Sequence, residues 1–315
     1  MKKNNVFIYT EIVNCGQIGT IALKSFFAHH PRVPVHVFGL SSDYDAVKKF
    51  KYVIFHCLDR PQGRAEGWGF NPVKNLQTRY RYKQIQRRFN HGHLGTASLW
   101  AHLIKTRPEK YMLHFDSDVV FRAPLLKDIY FRLDEGYDLV GPVRNYKYNP
   151  HGDDEKRSRP DVTQTYCFAF NRTKVGKFPF DELVEMCRGG YNPLGFAVID
   201  FFDPVGFVIQ NNGGKIFKLP VNDFGGEDYK GGRKNKYPDA NKIVDFGSKI
   251  AHFSGVGSGM NFFNHPESAK NVPDSYVDHG LRRYAMYMKL FYGQDIMKSA
   301  DMSDYKALFA VKKWF

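Results

Sequence analysis

The sequence contains no apolar run approaching the roughly 20 residues that a membrane-crossing helix needs, so no transmembrane segment is expected. Its four cysteines, Cys15, Cys57, Cys167 and Cys187, stand alone. None belongs to a C-x-x-C pair, which leaves zinc sites and a disulfide framework unsupported. There is no G-x-G-x-x-G and no Walker A lysine, so neither NAD binding nor P-loop chemistry is indicated. The opening residues, Met1-Lys-Lys-Asn-Asn5, run directly into a short apolar strand and lack the long apolar region of a secretory signal. A reduced, cytoplasmic compartment is the expectation.

What is present is ample core material and an excess of positive charge. The 315 residues are 43% hydrophobic and 16% aromatic, which suits one large α/β domain, or one domain with a C-terminal extension. The formal net charge is +14. Between residues 60 and 110 eleven Lys and Arg, Arg79 and Lys83 among them, face only Glu66 and Glu109. Such a field favours anionic partners such as nucleotide diphosphates, acidic acceptors or nucleic acid; its plain alternative is a solvated face.

Taken in order, residues 6–9 read as a strand that runs into a turn over 10–17. An apolar-patterned helix follows over 18–29. Strand, loop and helix open a nucleotide-binding α/β unit. Strands are expected at 35–39 and 52–56 with a short helix at 43–51 between them. Helices are expected at 74–89 and about 91–105, the first strongly basic, after a Gly/Pro-rich loop over 58–73. Residues 138–142 and 166–171 read as further strands, 151–160 as a charged loop and 180–187 as a short helix. Short strands alternating with helices argue for a mainly parallel sheet. The tail from 273 is helical in pattern, with Leu281, Tyr284, Met288 and Phe291 on one face. Eight Lys/Arg against six Asp/Glu over 265–315 do not make it a polybasic membrane anchor.

Three stretches carry chemistry. In Tyr111-Met-Leu-His-Phe-Asp-Ser-Asp-Val-Val-Phe121 two carboxylates, Asp116 and Asp118, sit between apolar runs. Carboxylates are costly to bury unless paired or coordinating a metal. At the end of a buried strand, this pair is placed where α/β proteins bind ligands, and hard oxygen ligands suit Mg²⁺ or Mn²⁺. Further on, Asp200 and Asp203 precede an expected helix over 204–211 that stops at Gly213-Gly214, before a strand over 215–219. Asp203 reads as an N-terminal acid stabilised by the helix dipole, while Asp200 has no such structural explanation. In Lys249-Ile-Ala-His-Phe-Ser-Gly-Val-Gly-Ser-Gly259, His252 ends a short strand and a glycine-rich loop containing Gly255 follows. Imidazole can ligate a metal and glycine backbone can approach phosphate closely. The stretch Gly225–Tyr237 reads either as a lid or as a solvated loop.

In order and spacing these three stretches, over roughly residues 5–255, resemble the GT-A fold glycosyltransferases. Asp116-Ser117-Asp118 matches their DxD motif. The Asp200 block is similar to their xED region, with Ile199-Asp200 where the family has Glu-Asp. His252 is similar to their C-terminal metal-binding histidine, though Ser258-Gly259-Met260 replaces a lysine and a Pro-Trp pair that some retaining members carry. The resemblance implies a Rossmann-like, mainly parallel α/β domain over 1–265 with a helical C-terminal extension over 266–315 packed on it. It implies a nucleotide-sugar donor, taken as a UDP-sugar, and Mn²⁺ or Mg²⁺ held by Asp116, Asp118 and His252. Thr10 and Glu11 would line the nucleoside site, Arg79 or Lys83 would neutralise phosphate, and Gly255 would approach it. Asp200, with Asp203 as competitor, would be the base that activates a hydroxyl of a glycan or glycoconjugate acceptor in an inverting transfer. Two other readings stay open: a transferase that glycosylates hydroxylated nucleic-acid bases, and a non-catalytic nucleotide-sugar-binding module.

Overall fold

A computed structural model describes residues 5–58, 93–142, 166–176, 203–219, 221–223, 244–246, 249–253, 255–270 and 274–296. The first elements in the chain are β1 (Val6–Ile12), α1 (Gly16–His29), β2 (Val35–Gly39), α2 (Tyr44–Val47) and β3 (Val53–Cys57). Next come α3 (His93–Thr106), β4 (Tyr111–Phe115), β5 (Val119–Phe121), α4 (Leu126–Asp134), β6 (Leu139–Pro142), β7 (Cys167–Asn171) and α5 (Arg172–Val175). The last are α6 (Asp203–Asn211), β8 (Ile216–Leu219), β9 (Val221–Asp223), β10 (Val244–Phe246), β11 (Ile250–His252), α7 (Val256–Asn264) and α8 (Asp274–Tyr292). These elements form two compact units. One comprises Met1–Asn14, Val33–Asp116 and Leu126–Leu219, and the other Cys15–Arg32, Ser117–Leu125 and Pro220–Phe315.

The first unit carries a seven-stranded sheet in the order β3-β2-β1-β4-β7-β6-β8. The pairs β1–β2, β2–β3, β1–β4 and β6–β8 are parallel, and β7 alone runs against both its neighbours. The expectation of an α/β fold with a mainly parallel sheet is borne out. Every residue of β4, β6 and β7 is buried, which is why their sequences are continuous apolar runs instead of alternating ones. Trp100, Leu103 and Ile104 of α3 and Val205 and Ile209 of α6 join Phe7, Met112, Phe168 and Phe170 of the strands in one core. Gly39 ends β2 because a Cβ there would stand 2.4 Å from the Ile12 carbonyl oxygen.

The second unit carries a four-stranded antiparallel sheet in the order β5-β11-β10-β9. Helix α1 lies against β5: Phe26 meets Phe121 edge-on at 5.1 Å, and the Ser25 hydroxyl accepts the Phe121 N–H at 3.0 Å. Helix α8 is buried all round over Arg283–Met288, as expected of a helix inside a core. Within the tail, Arg283–Met288 are therefore core material. Among the described residues no helix is long and apolar enough to cross a membrane.

Several expected boundaries move. β1 continues three residues past Tyr9, because Thr10, Glu11 and Ile12 pair with Val37, Phe38 and Gly39. The expected turn is correspondingly shorter and α1 starts at Gly16. The helix expected over 43–51 is a 3-10 turn at Ser41–Asp43 followed by the four-residue α2. The glycine-rich loop expected after His252 is instead the first turn of α7. The expected elements at 74–89, 151–160, 180–187 and 225–237 lie outside the described residues, as does nearly all of the loop at 58–73.

At the outer edge of the large sheet His36 Nδ1 and His56 Nε2 are 2.8 Å apart, with their rings stacked. Burial, followed by the Arg107 charge, lowers His36 to about 4. Burial, followed by the His36 charge, pushes His56 well down. Both folded values lie below the unfolded one, so the stability that the neutral pair preserves is complete above pH 6.5. It is lost as pH falls from there towards 4. Between pH 7 and pH 4.5 the urea midpoint should drop by an amount equivalent to at least about 2–3 kcal/mol, the share of His36 alone. An unchanged midpoint would contradict the assignment.

Candidate metal centre

The chain leaves the first unit at Asp116 and enters the second at Ser117. Each side of that link is fixed by its own ladder. The Asp116 N–H donates to the Tyr166 carbonyl at 2.8 Å, one step beyond the last β4–β7 pair. The Asp118 carbonyl accepts the Phe253 N–H at 2.9 Å, one step beyond the His252–Val119 pair of β11 and β5. Two peptide bonds separate the aspartates, so their backbones are held independently and close together. Ser117 between them accepts from the Cys15 thiol at 3.4 Å.

The side chains converge. One carboxylate oxygen each from Asp116 and Asp118 and one ring nitrogen of His252 lie within 4.8 Å of one another. His252 Nε2 is 3.3 Å from Asp118 Oδ1, both side chains being partly buried. Asp116 Oδ1 accepts from His114 Nε2 at 2.8 Å. Two carboxylates this close repel unless a cation or a proton is shared between them. Two hard oxygens and one nitrogen form a donor set that fits a divalent ion such as Mn²⁺.

The surroundings of the site carry its charge. Burial, followed by the charges of Glu11 and Asp116, pushes the Tyr9 phenol well above its usual value. Burial, followed by Tyr292, Asp118 and Cys15, does the same to Tyr287. Tyr287 donates to the Ile18 carbonyl of α1 at 3.1 Å and meets Phe253 edge-on at 5.3 Å. The Cys167 thiol, fully buried, is likewise pushed up, by burial and then by Asp116, so it is an inert thiol.

The other expected site residues are placed as follows. Thr10 is fully buried inside β1. Glu11 is half-buried, and its Oε1 accepts the Trp100 indole N–H at 2.6 Å. Gly255 precedes α7 with φ +86°, a left-handed backbone that favours glycine. Asp203 is the first residue of α6. Asp200, Arg79 and Lys83 lie outside the described residues. Sequence reading passed over His114, Trp100, Cys15 and Tyr287. For His114 a signal existed: a strand places residues i and i+2 on one face, which puts it under Asp116.

No protein-family model matches the chain, and no curated protein sequence is similar to it. Solved structures with a similar course include mouse xyloside xylosyltransferase 1 in its apo form, at 9% identity, covering 75% of this chain and 92% of that one, with a TM-score of 0.43. The galactosyltransferase LgtC in complex with donor and acceptor sugar analogs is another, at 13% identity, 64% and 70% coverage and a TM-score of 0.40. An active-site mutant of LgtC is similar at 14% identity, 58% and 62% coverage and a TM-score of 0.35. Likeness this distant transfers no residue role, and what the chain can do rests on its own side chains.

Behind His252 the first turn of α7 crosses α8 at a pair of glycines. A Cβ on Gly259 would fall 1.8 Å from the Gly280 carbonyl oxygen. Gly259→Ala should therefore force the helices apart and cost about 1–3 kcal/mol, as overpacking does. Urea denaturation of the full chain checks this, and an unchanged midpoint would contradict so tight a crossing.

Proposed function

We propose that the chain is a GT-A-type glycosyltransferase that moves a sugar from a nucleotide-sugar donor to a hydroxyl of a glycan or glycoconjugate. The observation that carries the reading is the convergence of Asp116, Asp118 and His252 at the link between two backbone ladders. These three residues would hold Mn²⁺, or Mg²⁺ in its place. The imidazole favours Mn²⁺, since Mg²⁺ sites are built from oxygen. A bound divalent ion supplies electrostatic stabilisation of the departing diphosphate.

The remaining roles are assigned to this chain's own residues. Glu11 and Asp116 stand at the carboxyl ends of the adjacent parallel strands β1 and β4, where α/β proteins take their ligands. Glu11 would receive the nucleoside, with Thr10 packed beside it inside the sheet. Gly255, ahead of α7, would let the backbone approach phosphate, and Arg79 or Lys83 would add positive charge. Asp200 would take the proton of the acceptor hydroxyl as that oxygen attacks the anomeric carbon and the bond to diphosphate breaks. Asp203, at the start of α6, is the competing base. The donor is proposed to be a UDP-sugar and the transfer inverting. The rival that glycosylates nucleic-acid bases leans on the basic stretch 60–110, of which Arg60–Arg88 lies outside the described residues.

Thermal unfolding with UDP, GDP, CDP or dTDP, each with Mn²⁺ and with EDTA, tests the reading. At a hundredfold excess over its Kd, a nucleotide should stabilise the protein by about 2.7 kcal/mol. The expected result is stabilisation by UDP with Mn²⁺ only, absent from Asp118→Asn. Stabilisation by no nucleotide, or equal stabilisation in EDTA, would overturn the metal site and the function with it.

A further inference from the structure

We propose that His114 is a positioning residue for the cation site, its buried imidazole fixing the Asp116 carboxylate in the orientation that binds the ion. This deepens the reading above and rests on it. His114 precedes Asp116 by two residues, on the same face of the strand. Its side chain is 2% exposed, whereas that of Asp116 is 31% exposed. A carboxylate accepts only, so Nε2 carries the hydrogen of the 2.8 Å contact.

The ring is enclosed by its register partners. Tyr9 on β1 lies 5.0 Å away and Phe168 on β7 5.5 Å away, and Trp100 closes the third side at 4.9 Å. Trp100 repeats the motif one strand over by giving its own N–H to Glu11. Two carboxylates at the ends of β1 and β4 thus each receive a ring N–H from one buried aromatic group. A plain core position would take Leu or Phe without the cost of burying an imidazole. Asp116 is open enough for water to satisfy it, so solvation does not require the histidine. What His114 adds is direction, and hydrogen-bonded partners behind metal ligands raise affinity in that way.

Mn²⁺ titration of the full chain without nucleotide, followed calorimetrically, tests the proposal in three variants. His114→Phe keeps the aromatic packing and removes the N–H. His114→Leu gives the same comparison should the phenylalanine not fit. His114→Gln keeps an N–H that reaches to about the same depth. Phe and Leu should weaken Mn²⁺ binding by about 10–100-fold, and Gln should recover most of that loss. Leu139→Ala, from the same core, should lower Tm and leave Mn²⁺ affinity unchanged. Wild-type Mn²⁺ affinity in folded His114→Phe or His114→Leu would overturn the proposal, as would His114→Gln binding no better than they do. Absence of Mn²⁺ binding in the wild-type chain would bring down the metal reading itself and this proposal with it.

Discussion

Two carboxylates brought together with an imidazole are the constraint on which the described structure turns. Like charges within 4.8 Å of one another repel by on the order of 3–4 kcal/mol or more at an effective dielectric constant of about 20. A hydrogen bond to a charged group returns about 1.5–3 kcal/mol. The His114 contact to Asp116 and the His252 contact to Asp118 therefore do not leave the cluster comfortable. Charge neutralisation by a divalent ion does more than either. The backbones of Asp116 and Asp118 are each tied to their own ladder.

In the second unit the same economy extends to helices distant in sequence. Phe253, whose N–H holds the Asp118 carbonyl, is backed by Tyr287 and Phe291 of α8. Tyr287 reaches on to the first turn of α1, whose preceding residue, Cys15, bonds Ser117. One face of α8 thus supports both the strand end that carries His252 and the helix beside Ser117. The tight Gly259–Gly280 crossing brings α7, which begins four residues after His252, onto α8 as well.

Much of this was legible in the sequence. The strands of the large sheet are short apolar runs between polar turns, and burial on both faces produces such runs. The two aspartates stand out because carboxylates next to apolar strands need a reason, whereas His252 stands out only through the resemblance of its stretch to a metal-binding histidine. What the sequence hid is mostly long-range. Gly257 and Gly259 read as a loop because glycine disfavours helix, yet both lie in α7, where Gly259 packs closely against Gly280. Thr10 and Glu11 read as a turn because they are polar, yet the parallel ladder with β2 draws them into the strand. The antiparallel sheet of the second unit joins β5 to strands more than a hundred residues later in the chain, and no local pattern announces such pairing.

The twelve histidines show why residue type alone under-determines role. His36 and His56 sit side by side on neighbouring parallel strands, ring on ring, and burial makes both resist protonation. His30 accepts the Leu125 N–H in the second unit and is lowered to about 4, first by burial and then by His29, so it too works as a neutral core residue. His114 is as buried as these, and its strand is as apolar. The difference is what its nitrogen faces. A ring that meets another ring or a backbone N–H completes a core, whereas a ring that meets a carboxylate oxygen orients a charge. In this chain the two rings that do so in the described strands, His114 and His252, both point at members of the aspartate pair.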